Sequence, residues 1–170
     1  NANNLSTSNA VMNDDTDNGV EDTSNGIELN SKLKTISEDL NNRWKGAIFS
    51  LSPNNPDATR HFCTSSREIF TNIIEMRASD NDVLKYNPKC RLTEKGNPTR
   101  REKISYLIPK KNLVESMIDF TDEDIGNVLE LFHVLSDGTH GEAGKYDMGK
   151  LRIIRKRVED GLFFLCSIAI

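Results

Sequence analysis

Cysteine is scarce in this 170-residue chain. Cys63, Cys90 and Cys166 lie far apart and are odd in number, which argues against a disulfide framework and a paired-cysteine metal site. That usage fits a reducing compartment, and the expected location is the cytoplasm. Long apolar runs are missing too. The stretch from Leu162 to Ile170 is too short to cross a bilayer, so it reads as the buried end of a helix. No signal peptide and no membrane partner are expected. The sequence has no Gly-Lys-Ser/Thr phosphate loop, no HExxH and no Gly-x-Ser-x-Gly elbow. No acidic metal cluster is obvious in the body of the chain. The expectation is therefore no cofactor and no metal.

Positive charge is absent from one region altogether. Residues 1–26 contain no Lys, Arg or aromatic and few large apolar side chains. Such a segment buries too little apolar surface to offset the entropy of ordering it. It is expected to be a disordered acidic linker to an upstream domain, or an acidic arm that covers a basic surface. The domain proper is then 27–170. The first residue is not methionine, which points to a fragment or a processed chain. The whole chain carries net charge −4. Without Asp14, Asp15, Asp17, Glu21 and Asp22, the 22 basic residues face 21 acidic ones, a net +1. The acidic balance thus belongs to the tail.

What is present is helical periodicity. Leu29, Leu33, Ile36, Leu40, Trp44, Ala47/Ile48 and Leu51 recur at steps of three and four, which predicts one long amphipathic helix stopped by Pro53. Asn55-Pro56-Asp57 reads as a helix start, with Asn as N-cap and Pro at the first position. The second helix would bury Phe62, Cys63 or Ser66, Ile69, Phe70, Ile73 and Met76. Residues 79–96 read as a long loop with one helical turn near Val83–Tyr86. Asn97-Pro98-Thr99 repeats the start signal for a third helix with Ile104, Leu107 and Ile108, and a short piece follows with Leu113, Val114, Met117 and Ile118. Thr121 is the expected cap of a helix carrying Ile125, Val128, Leu129, Phe132 and Leu135. Asp147 caps the last helix, striped with Leu151, Ile154, Val158, Leu162, Leu165 and Ile168. No alternating strand is evident. The expected fold class is all-α, a bundle of five to six helices.

The richest chemistry lies in Ser136-Asp137-Gly138-Thr139-His140-Gly141. It reads as a loop in which Gly138, Thr139 and Gly141 position an imidazole, the side chain that titrates nearest neutrality. His140 is the candidate general acid/base; the structural alternative is a loop residue closing the preceding helix. His133 would share its face only if the helix continued past the glycine. Arg67 follows three small residues, Thr64, Ser65 and Ser66, which permit close helix approach. It is either an ion-pair partner or a cation reaching His140, suited to a phosphate. Arg100, Arg101 and Lys103, within the basic stretch Lys89–Lys111, and Arg155, within Lys150–Arg157, are candidate phosphate or nucleic-acid contacts. Otherwise they are solvated surface. Tyr106 alone could stack on a base there, which weighs against sequence-specific single-strand readout.

Several of these stretches together carry a resemblance. Trp44-Lys45-Gly46-Ala47, Asn55-Pro56-Asp57, Ser66-Arg67-Glu68, Thr99-Arg100-Arg101, Ile104-Ser105-Tyr106 and Gly138-Thr139-His140-Gly141 resemble a helical domain of bacterial conflict and abortive-infection proteins. The same kind of domain is found in predicted nuclease partners of prokaryotic Argonaute-like proteins. That group is similar to the HEPN superfamily (higher eukaryotes and prokaryotes nucleotide-binding), all-α domains that often dimerise and are often metal-independent ribonucleases. The resemblance implies an arginine separated from the histidine by four to six intervening residues. The positions here hold Leu135, Val134 and His133. Either Arg67 or Arg101 supplies the cation from another helix, or the domain is catalytically dead.

The resemblance thus implies an RNA- or nucleotide-directed effector domain of a bacterial defence system, a possible ribonuclease. It would act as a homodimer or beside a partner domain in a longer chain. The alternative is a non-catalytic module for dimerisation or partner docking. The two readings part on geometry: catalysis requires His140 and an arginine to converge.

Overall fold

Helix start and stop chemistry sets most of the element boundaries. The computed structural model describes residues 17–109 and 118–170, with side chains over 24–109 and 121–170. Among them are seven helices: α1 Asp17–Ile36, α2 Glu38–Phe49, α3 Ala58–Arg77, α4 Asp80–Tyr86, α5 Arg100–Leu107, α6 Ile118–His140 and α7 Met148–Ala169. The only extended pairing in the described residues is one isolated bridge between Leu92 and Pro98. The all-α class holds, with a count above the five to six expected.

Two departures account for the extra helices. The expected single helix over Leu29–Leu51 is broken at Ser37, which takes an extended conformation (φ −165°, ψ 134°). Ser37-Glu38-Asp39 is itself a start signal, a hydroxyl followed by two acids at the positive end of the new macrodipole. The apolar spacing ran on across the break and masked it. The second departure is α4, a full helix within the expected loop, capped where Ser79 Oγ accepts from the Asp82 amide at 3.2 Å.

Other starts shift by a few residues. Asn55 does not cap α3; its Oδ1 accepts from the Asp57 amide at 3.1 Å, and Asp57 holds the N-cap position. Thr99, not Asn97, caps α5, accepting from the Glu102 amide. Asn97 and Pro98 belong instead to a tight turn, closed by Thr93 N–H to Asn97 O at 2.7 Å. Thr121 lies inside the first turn of α6 rather than capping it. Asp147 caps α7 as expected, accepting from the Lys150 amide at 2.8 Å. α1 begins at Asp17, inside the segment expected as tail; residues 1–16 lie outside the described residues, as does the short piece with Leu113, Val114 and Met117.

α3 is the central helix, packed against α2, α6, α7 and α5, while α1 closes over α2 and α7. Its stripe of Phe62, Ile69, Phe70 and Ile73 is fully buried. Phe62 meets Trp44 of α2, and Phe70 meets Phe132 of α6, with ring centroids 6.2 and 5.8 Å apart. Each such side chain contributes about 2 kcal/mol of transfer free energy when buried. Met76, expected in that stripe, is exposed. It falls in the last turn, beyond the end of the buried stripe. The six predicted apolar positions of α7 are all buried. No described helix is long and apolar enough to cross a membrane.

Candidate active site

The glycine-flanked histidine is not in a loop. α6 runs through Gly138 and Thr139 to His140, and the Gly141 amide still donates to Asp137 O at 2.9 Å. The turn comes later, at Gly144, whose φ of +76° favours glycine. Gly138 answers a different need. A Cβ there would collide with Cys63 Sγ and come 3.1 Å from the Tyr146 ring. The missing side chain lets α6 lie directly on α3.

That close approach sets up the rest. Thr64 Oγ1 donates to Thr139 Oγ1 at 3.3 Å, and Thr139 Oγ1 donates to Leu135 O at 2.8 Å. Tyr146, just past the turn, ties its hydroxyl to Val134 O at 3.2 Å and its backbone to Thr59 Oγ1. Burial, then the nearby Asp137 charge, pushes the Tyr146 phenol up, so it stays a neutral donor. Burial pushes the Cys63 thiol to about 12, so this cysteine is packing and not a nucleophile.

One turn along the seam, Arg67 meets His140. Its Nη1 lies 3.2 Å from His140 Nε2 and 3.5 Å from Ser136 Oγ. A guanidinium only donates, so Nε2 accepts, and the contact belongs to the neutral ring with its proton on Nδ1. Arg67 is half-buried and His140 exposed. An imidazole and a guanidinium therefore stand side by side at the surface.

Because the helix continues, His133, Ser136 and His140 share one face of α6. His133 and Ser136 line an open cleft of about 820 Å³ between α6, the start of α5 and the 93–98 turn. Arg100 lies in it with its guanidinium carbon 4.3 Å over the Phe132 ring. Arg101 lines it too and pairs with Asp122 at 3.3 Å.

Lys103 departs from expectation. It is buried, with Nζ 2.7 Å from Glu75 and 2.6 Å from Asp80. Burial alone lowers its pKa, but hydrogen bonds to Asp80 and Glu75 outweigh that and raise it. A lysine closed off by two carboxylates is structural, not a surface contact for phosphate. Arg155 is on α7, where its Nε donates to Glu159 at 2.8 Å. Gly138 and Thr139 act through helix packing rather than as a loop, and Gly141 follows the last turn. Among the described residues, no three His, Cys, Asp or Glu side chains gather to hold a metal.

The sequence assigns Ser136 and Phe132 no site role, although Ser136 lies three residues after His133 and four before His140. Nothing local marks the stacking of Arg100 on Phe132.

A family described as predicted pPIWI-associating nuclease matches residues 33–165, and the chain belongs to that family. The match includes both Arg67 and His140. No curated protein and no solved structure gives a significant match.

Proposed function

We propose that this nuclease-family domain is an RNA-cleaving effector of a bacterial defence system, acting beside a pPIWI partner and needing no metal, in the manner of HEPN ribonucleases. The observation that carries the reading is the 3.2 Å contact between Arg67 and His140. It supplies from α3 the cation that is missing from α6.

The chemistry follows from the two groups. RNA binding draws Arg67 from Nε2 to a non-bridging phosphate oxygen, where a guanidinium offers paired donors. The freed Nε2 takes the proton of the 2′-hydroxyl. O2′ then attacks the adjacent phosphorus, and the bond from phosphorus to the 5′ oxygen breaks. The leaving oxygen takes that proton from the imidazolium, which restores the neutral ring. The products are a 2′,3′-cyclic phosphate and a 5′-hydroxyl, so atoms and charge balance with no further reactant. Arg67 offsets the negative charge that builds on the phosphate. Arg100 lines the adjoining cleft, which meets the pair at Ser136.

Total RNA incubated with the domain in EDTA tests this. The wild type should cleave, leaving 5′-hydroxyl ends that a kinase labels directly, while His140→Ala and Arg67→Ala should not. Equal cleavage by His140→Ala, or none by the wild type, overturns the reading.

A further inference from the structure

We infer that the cleft beside the Arg67–His140 pair seats the nucleobase next to the cleaved phosphate, stacked on the Arg100 guanidinium; this deepens the ribonuclease reading and rests on it. The first observation is the wall. Residues 92–98 form a closed turn: Thr93 N–H donates to Asn97 O at 2.7 Å, Gly96 N–H donates to Thr93 O at 2.9 Å, and Leu92 bridges Pro98. Thr99 N–H donates to Arg91 O at 3.0 Å and fastens the turn to α5. The wall is therefore held in place before any ligand arrives.

The second observation is the balance of charge. A groove that follows a phosphate backbone carries one sign of charge. This cleft is lined by four cations, Lys95, Arg100, Arg101 and Lys103, and three carboxylates, Glu75, Asp80 and Glu94. Lys103 is closed off by Glu75 and Asp80, and Arg101 is paired with Asp122. Asn97 and Glu94 on the exposed turn offer both donors and acceptors. That mixture suits the edge of a base.

The third observation is the platform. Arg100 is exposed and lines the cleft, with its guanidinium carbon 4.3 Å from the centre of the Phe132 ring. Bases stack on planes of this kind. The two sites also adjoin: Ser136 lines the cleft and its Oγ lies 3.5 Å from Arg67 Nη1. A nucleotide whose phosphate is held at Arg67 therefore starts at the edge of the slot.

The test uses the full chain carrying His140→Ala, so that RNA stays intact, with 5′-mononucleotides and a short RNA as probes. Adding Arg100→Ala should weaken binding of both by roughly 5- to 100-fold, the range of one lost base stack. Arg100→Lys keeps the charge but not the plane and should lose nearly as much. Unchanged binding in Arg100→Ala, or full recovery in Arg100→Lys, overturns the inference. In the active chain, Arg100→Ala should flatten the distribution of bases beside the cut sites. Cleavage with an unaltered distribution would sink the base slot and leave the ribonuclease reading standing. A chain that cleaves nothing but still loses mononucleotide binding in Arg100→Ala would sink the ribonuclease reading alone.

Discussion

Arg67 and Lys103 are both cations that point from one helix toward another, and their surroundings are opposite. Lys103 is enclosed by Glu75 and Asp80 with 5% of its side chain exposed. Arg67 faces the His140 ring and the Ser136 hydroxyl at the surface, neither of them an anion. Neither of those partners cancels its charge, so an incoming anion meets a full positive charge at Arg67 and almost none at Lys103. The difference teaches that a basic residue becomes available to a ligand through the neutrality of its neighbours, not through its own type. In the proposed reading, Arg67 works on substrate and Lys103 holds α5 to α3 and α4.

The strongest way to break that contrast is to exchange the consequences. Arg67→Ala and His140→Ala should each lower RNA cleavage by about 100- to 10,000-fold. Their melting temperatures should stay close to the parent, because neither side chain is buried. A large fall in melting temperature with retained cleavage would make Arg67 a structural cation like Lys103. Conversely, Lys103→Met leaves two carboxylates without their cation. Both are partly exposed and can rehydrate, so the cost should be about 2 kcal/mol, below that of a fully buried pair. A thermal melt should fall by roughly 4–8 °C, while cleavage per folded molecule stays near the parent value.

The packing beneath the Arg67–His140 pair sharpens the contrast further. Gly138→Ala forces a methyl group onto Cys63 and the Tyr146 ring. It should cost about 1–2 kcal/mol net of the helix propensity it gains. Cys63→Ala should return part of that in a double-mutant cycle, with a coupling of about 0.5–1 kcal/mol by urea unfolding. Purely additive effects would show that α6 does not rest on α3 at this point.

The smallest effect is alkaline. Burial holds the thiols of Cys63 and Cys166 protonated to about 12 and about 11, against an ordinary value of 9.0. Above pH 9 the unfolded chain loses these protons and the folded chain keeps them, so stability falls as pH rises through that window. Lys103 acts in the same direction at higher pH, since its raised pKa means its contribution is intact below 10.5 and lost above the folded value. Between pH 8 and pH 10, each thiol should account for about 1 kcal/mol of lost stability. Cys63→Ala should flatten the slope of urea midpoints by that share, and an unchanged slope would mean water reaches the seam.

Much of the fold was legible because helices announce their buried faces locally. The α7 stripe and its Asp147 cap needed no tertiary knowledge. Ser37 was missed because the apolar spacing of Leu33, Ile36 and Leu40 stays in phase across the break, and periodicity outweighed the cap. The candidate site was only half legible. A glycine in a close helix crossing and a glycine in a turn look alike until the neighbouring helix is known, so Gly138 reads as a loop residue in the sequence. Counting charges along Lys89–Lys111 could not show that α3 and α4 bring carboxylates to Lys103. The Arg67 contact was readable as an option, because small residues precede it, but its choice over Arg101 required the α3–α6 seam.

The two halves of the Arg67–His140 pair are 73 residues apart in the chain. Neither α3 nor α6 alone carries both groups, so in the proposed reading cleavage does not exist in a chain synthesised only as far as α5. In that reading the activity appears only after the chain has been synthesised through α6 and the two helices have packed.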